Sequence, residues 1–390
     1  MVVLRAVTEQ SPQEARQDRG RLREQGAAEI LGFATQGAGG NEEQRLRGLL
    51  SRLPAEIFPF ERRDKLGCFW GILQGLRGRR YRLVVMEGSG VAGGSALLLG
   101  RWLYGSRYVV SSGDAIAPFL RARWPLAAPI FEFYERLLYR NCSGFIGWTP
   151  YLAGRALTMG ARRAVTAAGW AEYRYTPQRL AQSRATIRSE LGIPPDAIVF
   201  GMVGSLNWSR RVSYCYGLEL VRAALEAAAP QARVLVVGDG DGRARLRDLA
   251  GEQLGRTIFL PGRVEYSRVP DYLAAMDVGS LPQSVDGVGS FRYTTKVSEY
   301  FSLRLPYVTN RIPAGYDLDY GGLWRLPGDS PWDARFVASL AGLMRELTRE
   351  AVEKKRAAIP ACLPEFCRNR QIDRVTQFLQ DILGDEPVAG

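Results

Sequence analysis

A lysine and a glutamate at helical spacing are the residues of this chain best suited to chemistry. Lys296 and Glu299 lie within residues 286–308 and are three positions apart, so both can face one edge of a helix. An ammonium group can neutralise a phosphate, and a carboxylate can accept two hydrogen bonds from neighbouring sugar hydroxyls. These groups would hold a nucleotide-sugar. The alternative is a surface ion pair on an ordinary amphipathic helix, since such pairs are common and weak.

The surrounding residues predict the elements that would position this pair. Gly287 and Gly289 form a loop in which the backbone can approach a ligand closely. Thr294 or Thr295 can cap the start of the helix, whose unpaired amides then form an anion site. The neighbouring helix face carries three residues that can be buried: Val297, Tyr300 and Phe301. An apolar run at 305–308 follows as a predicted strand.

The composition narrows the classes of function. The chain has 390 residues and a formal net charge of +12. A strongly basic chain suits nucleic acid, an anionic membrane or a phosphorylated substrate. The sequence has no recognition helix, zinc spacing or RNA-binding signature, so nucleic acid is not an expected partner. It contains no histidine, which removes the usual general base near neutral pH and argues against a catalytic zinc site.

Cysteine usage and hydropathy predict a cytoplasmic protein. The five cysteines are widely spread and show neither a disulfide framework nor a CxxC metal spacing. The first residues form no signal-peptide pattern, and the longest apolar run, 91–99, is too short to span a bilayer. Aromatic residues and arginines are interspersed over 123–140, which suits peripheral contact with the inner, anionic face of a membrane. The alternative for this segment is a helix packed on a sheet.

Predicted strands and helices alternate in the first half of the chain, as they do in an α/β domain. Short apolar runs predict strands at 29–34, 57–60, 81–86, 108–111 and 145–149. Gly39 and Gly40 make a turn after the first strand, and Asn41 would cap the next helix. Asp114 follows the fourth strand. Because ligands bind beyond the carboxyl ends of parallel strands, the acceptor side is predicted to include Gly39, Gly40 and Asp114. The alternative for Asp114 is a cap on the following helix.

Strands and helices alternate more regularly in the second half of the chain. Predicted strands at 197–203, 233–237, 257–260 and 277–281 are followed by glycine loops at Gly204, Gly238, Gly262 and Gly287. A helix is predicted to run from just after Arg210 and Arg211 to about residue 229. Strands alternating with helices favour a parallel sheet, whose loops then lie together at one edge. The Walker pattern is absent, which argues against a P-loop ATPase.

Shifts in composition divide the chain into four parts. Residues 1–26 are a predicted flexible leader, and residues 27–170 a first domain on the acceptor side. Residues 171–365 form a second domain that would bind a nucleotide-sugar, and residues 366–390 a C-terminal helix. The expected fold class is α/β, with two Rossmann-like parallel-sheet domains facing a cleft.

The second domain resembles the donor-binding domain of family 4 glycosyltransferases, which have the GT-B fold. Four segments in the family's order carry the resemblance: VFGMVGSLNWSRR, VLVVGDGDGRARL, IFLPGRVEYSRVPDYLAAMDVGSLPQ and FRYTTKVSEYFSLRLPYV. The resemblance implies a hexosyltransferase that moves a sugar from a UDP- or GDP-sugar to a hydroxyl of a glycan or lipid-linked acceptor. It also implies retention at the anomeric carbon, with no metal or other cofactor. It further implies that the C-terminal helix, 366–390, returns to the first domain.

The resemblance implies roles for particular residues. Glu299 corresponds to the glutamate that holds the ribose hydroxyls, and Arg210 to a phosphate-binding lysine. The implied catalytic residues are Arg210, Lys296 and Glu299. The nucleotide-sugar is expected to contact residues at strand ends and at the helix start: Gly204, Ser205, Gly238, Asp239, Arg263, Val264, Thr294 and Thr295.

Three positions depart from the family pattern. Ser205 stands where an arginine is usual, Phe291 where a second glutamate is usual, and Gly113–Asp114 where many members have a histidine. Asp286 is a candidate substitute for the missing glutamate. Two alternatives follow from these departures and from the shared fold. One is a catalytically silent GT-B protein that binds a nucleotide or glycan or scaffolds a polysaccharide assembly. The other is a sugar-nucleotide epimerase, which would need no acceptor.

Overall fold

Two six-stranded sheets with helices on their faces make up the described part of the chain. The computed structural model describes residues 28–78, 80–88, 90–171, 173 and 175–385, except for the side chains of residues 122 and 123. The predicted leader, residues 1–26, lies outside the described residues. The predicted fold class is confirmed: the protein has the two α/β domains of the GT-B architecture.

The first sheet is entirely parallel. Its strands are β1 (Ile30–Ala34), β2 (Ala55–Ile57), β3 (Leu83–Glu87), β4 (Tyr108–Ser112), β5 (Gly144–Gly147) and β6 (Ala164–Thr166). They lie in the order β2–β1–β3–β4–β5–β6. Residues of β1, β3 and β4 are buried on both faces, which explains why these strands read as continuous apolar runs.

Helices cover both faces of the first sheet. They are α1 (Asn41–Leu49), α2 (Lys65–Arg77), α3 (Val91–Tyr104), α4 (Ile116–Arg123), α5 (Ala128–Asn141) and α6 (Pro150–Thr158). Side chains of α2, α3, α5 and α6 share one core with alternate residues of the strands, whereas α1 packs on the opposite face. Each helix that follows a parallel strand starts at the carboxyl edge of the sheet, so the helix starts collect there.

The second sheet is also parallel. It comprises β7 (Ile198–Val203), β8 (Ala232–Val237), β9 (Ile258–Gly262), β10 (Val278–Leu281), β11 (Tyr307–Thr309) and β12 (Leu323–Arg325). The strand order is β12–β11–β10–β7–β8–β9. The helices are α7 (Pro177–Leu191), α8 (Leu218–Ala227), α9 (Arg243–Ala250), α10 (Val269–Ala274), α11 (Thr295–Ser302), α12 (Ala314–Asp317), α13 (Ala334–Glu346) and α14 (Arg349–Ala358).

The candidate site helix α11 is anchored by its apolar face. Val297, Tyr300 and Phe301 are buried, as the sequence pattern predicted. The Tyr300 hydroxyl also donates a hydrogen bond of 2.7 Å to the carbonyl of Ser280 on β10. These contacts fix α11 on the sheet, so its opposite edge lies near the carboxyl ends of β7 and β10.

The last helix, α15 (Arg368–Gly384), packs on the first domain. Val375, Leu379 and Ile382 join the core beneath α1. Arg82, at the start of β3, donates a hydrogen bond of 2.8 Å to the carbonyl of Leu383. Such a bond pairs one of the carbonyls that a helix end leaves without a partner.

Three local predictions were wrong. Asn41 is the first helical residue of α1, and the cap position is Gly40, which has no side chain to accept a bond. The second strand lies at Ala55–Ile57, before the predicted 57–60. No helix follows Arg210 directly: Ser209 and Tyr214 pair in a tight turn, and α8 begins at Leu218. Glu219 stabilises this turn by accepting from the Tyr214 hydroxyl, a contact that local sequence preference does not encode.

Candidate active site

The glycine loops after β7, β8 and β9 lie against one another at the carboxyl edge of the second sheet. The Gly204 amide donates to the Val237 carbonyl (2.9 Å), and the Gly238 amide to the Gly262 carbonyl (2.9 Å). Gly238 has a φ of +144°, and a Cβ atom there would lie 1.8 Å from the Gly204 carbonyl oxygen. Only glycine fits so close an approach. The predicted donor-binding residues Gly204 and Gly238 are therefore brought together.

Lys296 reaches over these loops from α11. The residue is 9% exposed, and its ammonium nitrogen lies 2.9 Å from the position that a Cβ atom of Gly204 would occupy. The ammonium also lies 4.8 Å from the centroid of the Tyr216 ring, which supports it from one side. Because glycine has no side chain, Gly204 leaves room for the ammonium group of Lys296.

Glu299 lies one turn further along α11 and is partly buried. The hydroxyl of Tyr173, in the segment between the two domains, donates a hydrogen bond of 3.3 Å to its Oε1. Burial raises the pKa of Glu299, while the charge of Lys296 and the bond from Tyr173 act in the opposite direction. The carboxylate keeps acceptor positions for further hydroxyl groups.

The start of α11 adds backbone donors beside Lys296. Thr294 is the cap residue, one of the two predicted, but its hydroxyl makes no capping hydrogen bond. That oxygen is buried and has no partner among the described residues. Thr295 is the first helical residue and is exposed. The first amides of a helix lack partners within it, so they and the Lys296 ammonium form a set of donors suited to a diphosphate.

The other predicted donor residues are spread along the same edge. Three of them are exposed: Ser205, Asp239 and Arg263. Val264 packs partly buried against the domain core. Arg210 is exposed in the turn between Ser209 and Tyr214, and no described contact joins it to Lys296 or Glu299.

Asp114 connects the two domains across the cleft. Its carboxylate lies 3.2 Å from Nε of Arg292, just before α11. Burial alone would lower the pKa of Arg292, but the Asp114 carboxylate contributes to raising it. The interpretation of Asp114 as a helix cap is wrong. The amides of Ile116 and Ala117 at the start of α4 donate instead to the buried carboxylate of Glu135, at 3.1 Å each.

A buried ionic network lies at the carboxyl edge of the first sheet, beneath the predicted acceptor residues. Arg45 on α1 pairs with Glu87 at the end of β3 (2.5 Å) and donates to the Ser111 hydroxyl (3.1 Å). Its guanidinium lies 4.4 Å from the centroid of the Trp148 ring, and the indole N–H donates to Glu87 (2.9 Å). Arg45 and Glu87 are both buried, and each has its charge matched by the other.

Glu42 is a residue that the sequence reasoning missed. It follows the glycine turn directly, where Gly39 adopts a φ of +76° and Gly40 caps α1. Its Oε2 atom is buried and has no hydrogen-bond partner among the described residues. Burial, together with the charges of Glu87 and Asp114, raises its pKa to about 8, against the opposing effects of Arg45 and Arg62. An acidic residue opening a helix after a strand and a glycine turn was the available signal.

Phe291 and Asp286 both have structural partners. The Phe291 carbonyl accepts a hydrogen bond of 2.6 Å from Thr149 of the first domain, and the Arg155 guanidinium lies 5.7 Å from the centroid of its ring. Asp286 accepts from the amides of Val288 and Gly289, at 2.8 and 2.9 Å. The Asp286 carboxylate therefore supports its own loop, and residue 291 joins the domains.

The second domain matches a known family. Residues 197–331, about a third of the chain, match the family described as Glycosyl transferases group 1. A search of curated proteins found no matching sequence. The family match covers the glycine loops, Lys296 and Glu299, and it supports a glycosyltransferase.

Solved structures share the whole architecture. HepE of Anabaena, in complex with UDP and glucose, superposes with a TM-score of 0.67 at 16% identity, covering 90% of this chain and 99% of HepE. Sucrose-phosphate synthase of Thermosynechococcus elongatus gives 0.66 at 13% identity, covering 91% and 99%. A glycosyltransferase of Rickettsia africae gives 0.63 at 11%, covering 92% and 99%. At such identities the similarity establishes the GT-B fold.

Proposed function

We propose that this protein is a retaining glycosyltransferase that moves a hexosyl group from a nucleotide-diphosphate sugar to a hydroxyl acceptor. The observation that carries the proposal is the Lys296 ammonium held over Gly204 beside the start of α11. A diphosphate bound there would meet a cation and unpaired amides together. The family match over residues 197–331 supports the same reaction class. HepE was solved with UDP and with UDP-glucose, so UDP-sugars are the first donors to test, followed by GDP-sugars.

In this proposal the second domain holds the donor. Lys296 and the α11 amides stabilise the charge that develops on the leaving diphosphate, an effect that is often the largest in catalysis. Glu299, oriented by Tyr173, accepts hydrogen bonds from the ribose hydroxyls. We further propose that no metal is needed, since these groups supply the positive charge. Turnover should then persist after treatment with EDTA.

Nucleotide binding is the direct test. UDP, GDP and ADP are titrated by calorimetry and thermal shift into the wild type, Glu299→Ala and the exposed control Glu252→Ala. A nucleotide at a hundred times its Kd stabilises the folded state by about 2.7 kcal/mol. One diphosphate should stabilise the wild type and the control, and much less the Glu299→Ala variant. Absence of binding by all three nucleotides would refute the proposal.

A catalytically silent GT-B protein is the second candidate function. Phe291 favours it, because the residue at this position binds the first domain through its carbonyl and ring. A silent protein would bind UDP or GDP but would neither transfer nor hydrolyse any sugar-nucleotide. Incubation with a panel of UDP- and GDP-sugars, with and without acceptor, separates the two. Interconversion of the free sugar-nucleotide would identify an epimerase instead.

We propose a lipid-linked glycan as the acceptor class, at the inner face of an anionic membrane. The net charge of +12 supports this. Among the described residues no helix is long and apolar enough to cross a membrane.

A further inference from the structure

Large apolar side chains are exposed together on one side of the first domain. They lie at the starts of α2 and α3, on α4, in the turn after it, and on α5: Leu66, Trp70, Val91, Phe119, Trp124, Leu126, Ile130 and Phe133. These eight residues are named the docking face. Single exposed apolar residues are ordinary, whereas a group on adjacent helices marks an interaction site.

The helices that carry the docking face are neighbours. α2 packs against α3, α3 against α5, and α5 against α4. Most of the eight residues lie at helix starts or in the turn between α4 and α5. Because helices start at the carboxyl edge of a parallel sheet, the docking face borders the edge that holds Glu42 and Asp114.

The turn after α4 and helix α5 expose apolar side chains to solvent, although other residues of α5 already pack in the core of the domain. Leu126 is 100% exposed, and Ile130 and Phe133 are each 68% exposed. Leu138 and Tyr139 of the same helix are buried against the sheet. α5 therefore has apolar residues on two sides, and only one of them faces the protein. A helix that served packing alone would carry polar residues on its outer side.

Positive charges surround the apolar residues. Four exposed basic residues at the start of α2 and along α5 form no ion pair within the described part of the chain: Arg63, Lys65, Arg136 and Arg140. Two of the nearby acidic groups have partners, and a third, Glu61, is exposed. Asp64 caps α2 by accepting from the Gly67 amide, and Glu132 pairs with Arg121. The helices of the docking face thus carry exposed apolar residues together with basic residues that have no ion-pair partner among the described residues.

We propose that the docking face inserts into the headgroup region of an anionic phospholipid bilayer. Aromatic and aliphatic side chains partition into the interface, and the flanking arginines and lysine pair with acidic headgroups. A symmetric dimer through the same face would bring two basic rims together, which opposes it electrostatically. The bound protein presents the acceptor edge of its first domain to the membrane surface. The proposal rests on the membrane-associated acceptor proposed above and names the surface that makes the contact. Its test needs no turnover, so its failure is distinguishable from a failure of nucleotide binding.

Vesicle flotation tests the proposal with the full chain. Vesicles of phosphatidylcholine alone are compared with vesicles of phosphatidylcholine and phosphatidylglycerol at 0.1 M salt. The wild type should bind the anionic vesicles more tightly. Ile130→Ser/Phe133→Ser should weaken that binding at least about ten-fold, because both side chains lose apolar burial. Arg136→Gln/Arg140→Gln should weaken it by about five- to thirty-fold on anionic vesicles only, because each basic residue close to the surface contributes a factor of about five.

The donor domain offers matched controls. Leu249→Ser/Tyr316→Ser changes two exposed apolar residues there, and Arg247→Gln/Arg256→Gln changes two exposed arginines. Both controls should bind vesicles like the wild type. Leu126→Asp, in a surface turn, is an independent variant if the helix variant melts early by circular dichroism. No binding by the wild type, or equal losses in variants and controls, would overturn the proposal. So would light scattering that shows a dimer dissociated by Ile130→Ser/Phe133→Ser without vesicle binding.

Discussion

The carboxyl edges of the two sheets have the same architecture but opposite charge chemistry. In the first domain, Arg45 forms an ion pair with Glu87, and the Oε2 atom of Glu42 has no hydrogen-bond partner among the described residues. In the second domain, Lys296 lies over glycine loops with the ring of Tyr216 beside it. One edge therefore has an unused carboxyl group and the other an available cation.

The difference fits two kinds of ligand. A cation beside helix amides suits the diphosphate of a donor. A carboxyl group with a raised pKa can donate or accept a hydrogen bond, which suits a neutral hydroxyl group. The following predictions test whether the two edges have these separate roles.

The largest effect is expected from removing Arg45 from the buried ionic network at the carboxyl edge of the first sheet. Arg45→Met leaves the buried Glu87 carboxylate without its cation and should destabilise folding by about 3–5 kcal/mol. Urea unfolding measures the change. Arg80→Met, which removes an exposed pair with Glu56, is the control and should cost at most about 1 kcal/mol. Replacing both charges in Arg45→Met/Glu87→Leu should recover much of the loss; no recovery would mean that the pair is not the cause.

Removing the cation of the second edge should affect turnover rather than folding. Lys296→Ala should lower kcat by roughly 10²–10³, equivalent to about 2.7–4 kcal/mol of transition-state stabilisation. The exposed Lys354→Ala serves as control. Steady-state kinetics with the donor identified by nucleotide binding provide the measurement. An unchanged kcat in Lys296→Ala would show that the diphosphate binds elsewhere.

The carboxyl group of Glu42 should make stability depend on pH. Its pKa is about 8 in the folded protein against 4.5 for the ordinary group, so the folded state keeps a proton that the unfolded state has lost. Stability should therefore fall as pH rises from about 4.5 to 8. Glu42→Gln should remove this part of the slope and be at least about 1 kcal/mol more stable near pH 8, since one pKa unit corresponds to about 1.4 kcal/mol. Urea unfolding at pH 5, 6.5 and 8 tests this, and parallel slopes for wild type and variant would contradict it.

The smallest effect concerns the ion pair that joins the two edges. Asp114→Asn and Arg292→Gln remove the two partners of the cross-cleft contact. A double-mutant cycle should give a coupling free energy of about 0.2–1 kcal/mol, because both side chains are partly exposed. Urea unfolding of the wild type, the two single variants and the double variant gives the four free energies of unfolding that the cycle needs. A coupling near zero would indicate that the domains are held by the Thr149–Phe291 contact and the surrounding packing instead.

The carboxyl edge of the second sheet was easier to predict than that of the first. Lys296, Glu299 and the buried residues of α11 lie within six positions of one another, so helical periodicity alone relates them. The glycines after β7 and β8 were visible because strands and turns alternate regularly in this half. The helix predicted to follow Arg210 and Arg211 shows the limit of that reasoning, since a turn stabilised by Glu219 delays its start to Leu218. The role of Arg210 itself stays a prediction.

The carboxyl edge of the first sheet depends on residues that are far apart in the chain. Arg45 is paired with Glu87, forty-two positions away, and Glu42 Oε2 has no hydrogen-bond partner among the described residues. Asp114 meets Arg292 only across the cleft, and Glu135 takes the capping role predicted for Asp114. Local preference cannot assign such partners, because each depends on which strands lie side by side.

The amino-acid sequence by itself determined the α/β class, the parallel sheets and the position of the cation on a helix start. These features follow from hydrophobic periodicity and from the backbone freedom of glycine, which are local properties. Tertiary structure decided which charges remain without a partner and which apolar helix faces stay exposed. Burial and pairing depend on neighbours that folding brings together, so Glu42 and the part of the docking face on α2, α3 and α4 were recognisable only once the helices had packed. The aromatic and basic residues of 123–140 were visible in the sequence, but their exposure was not.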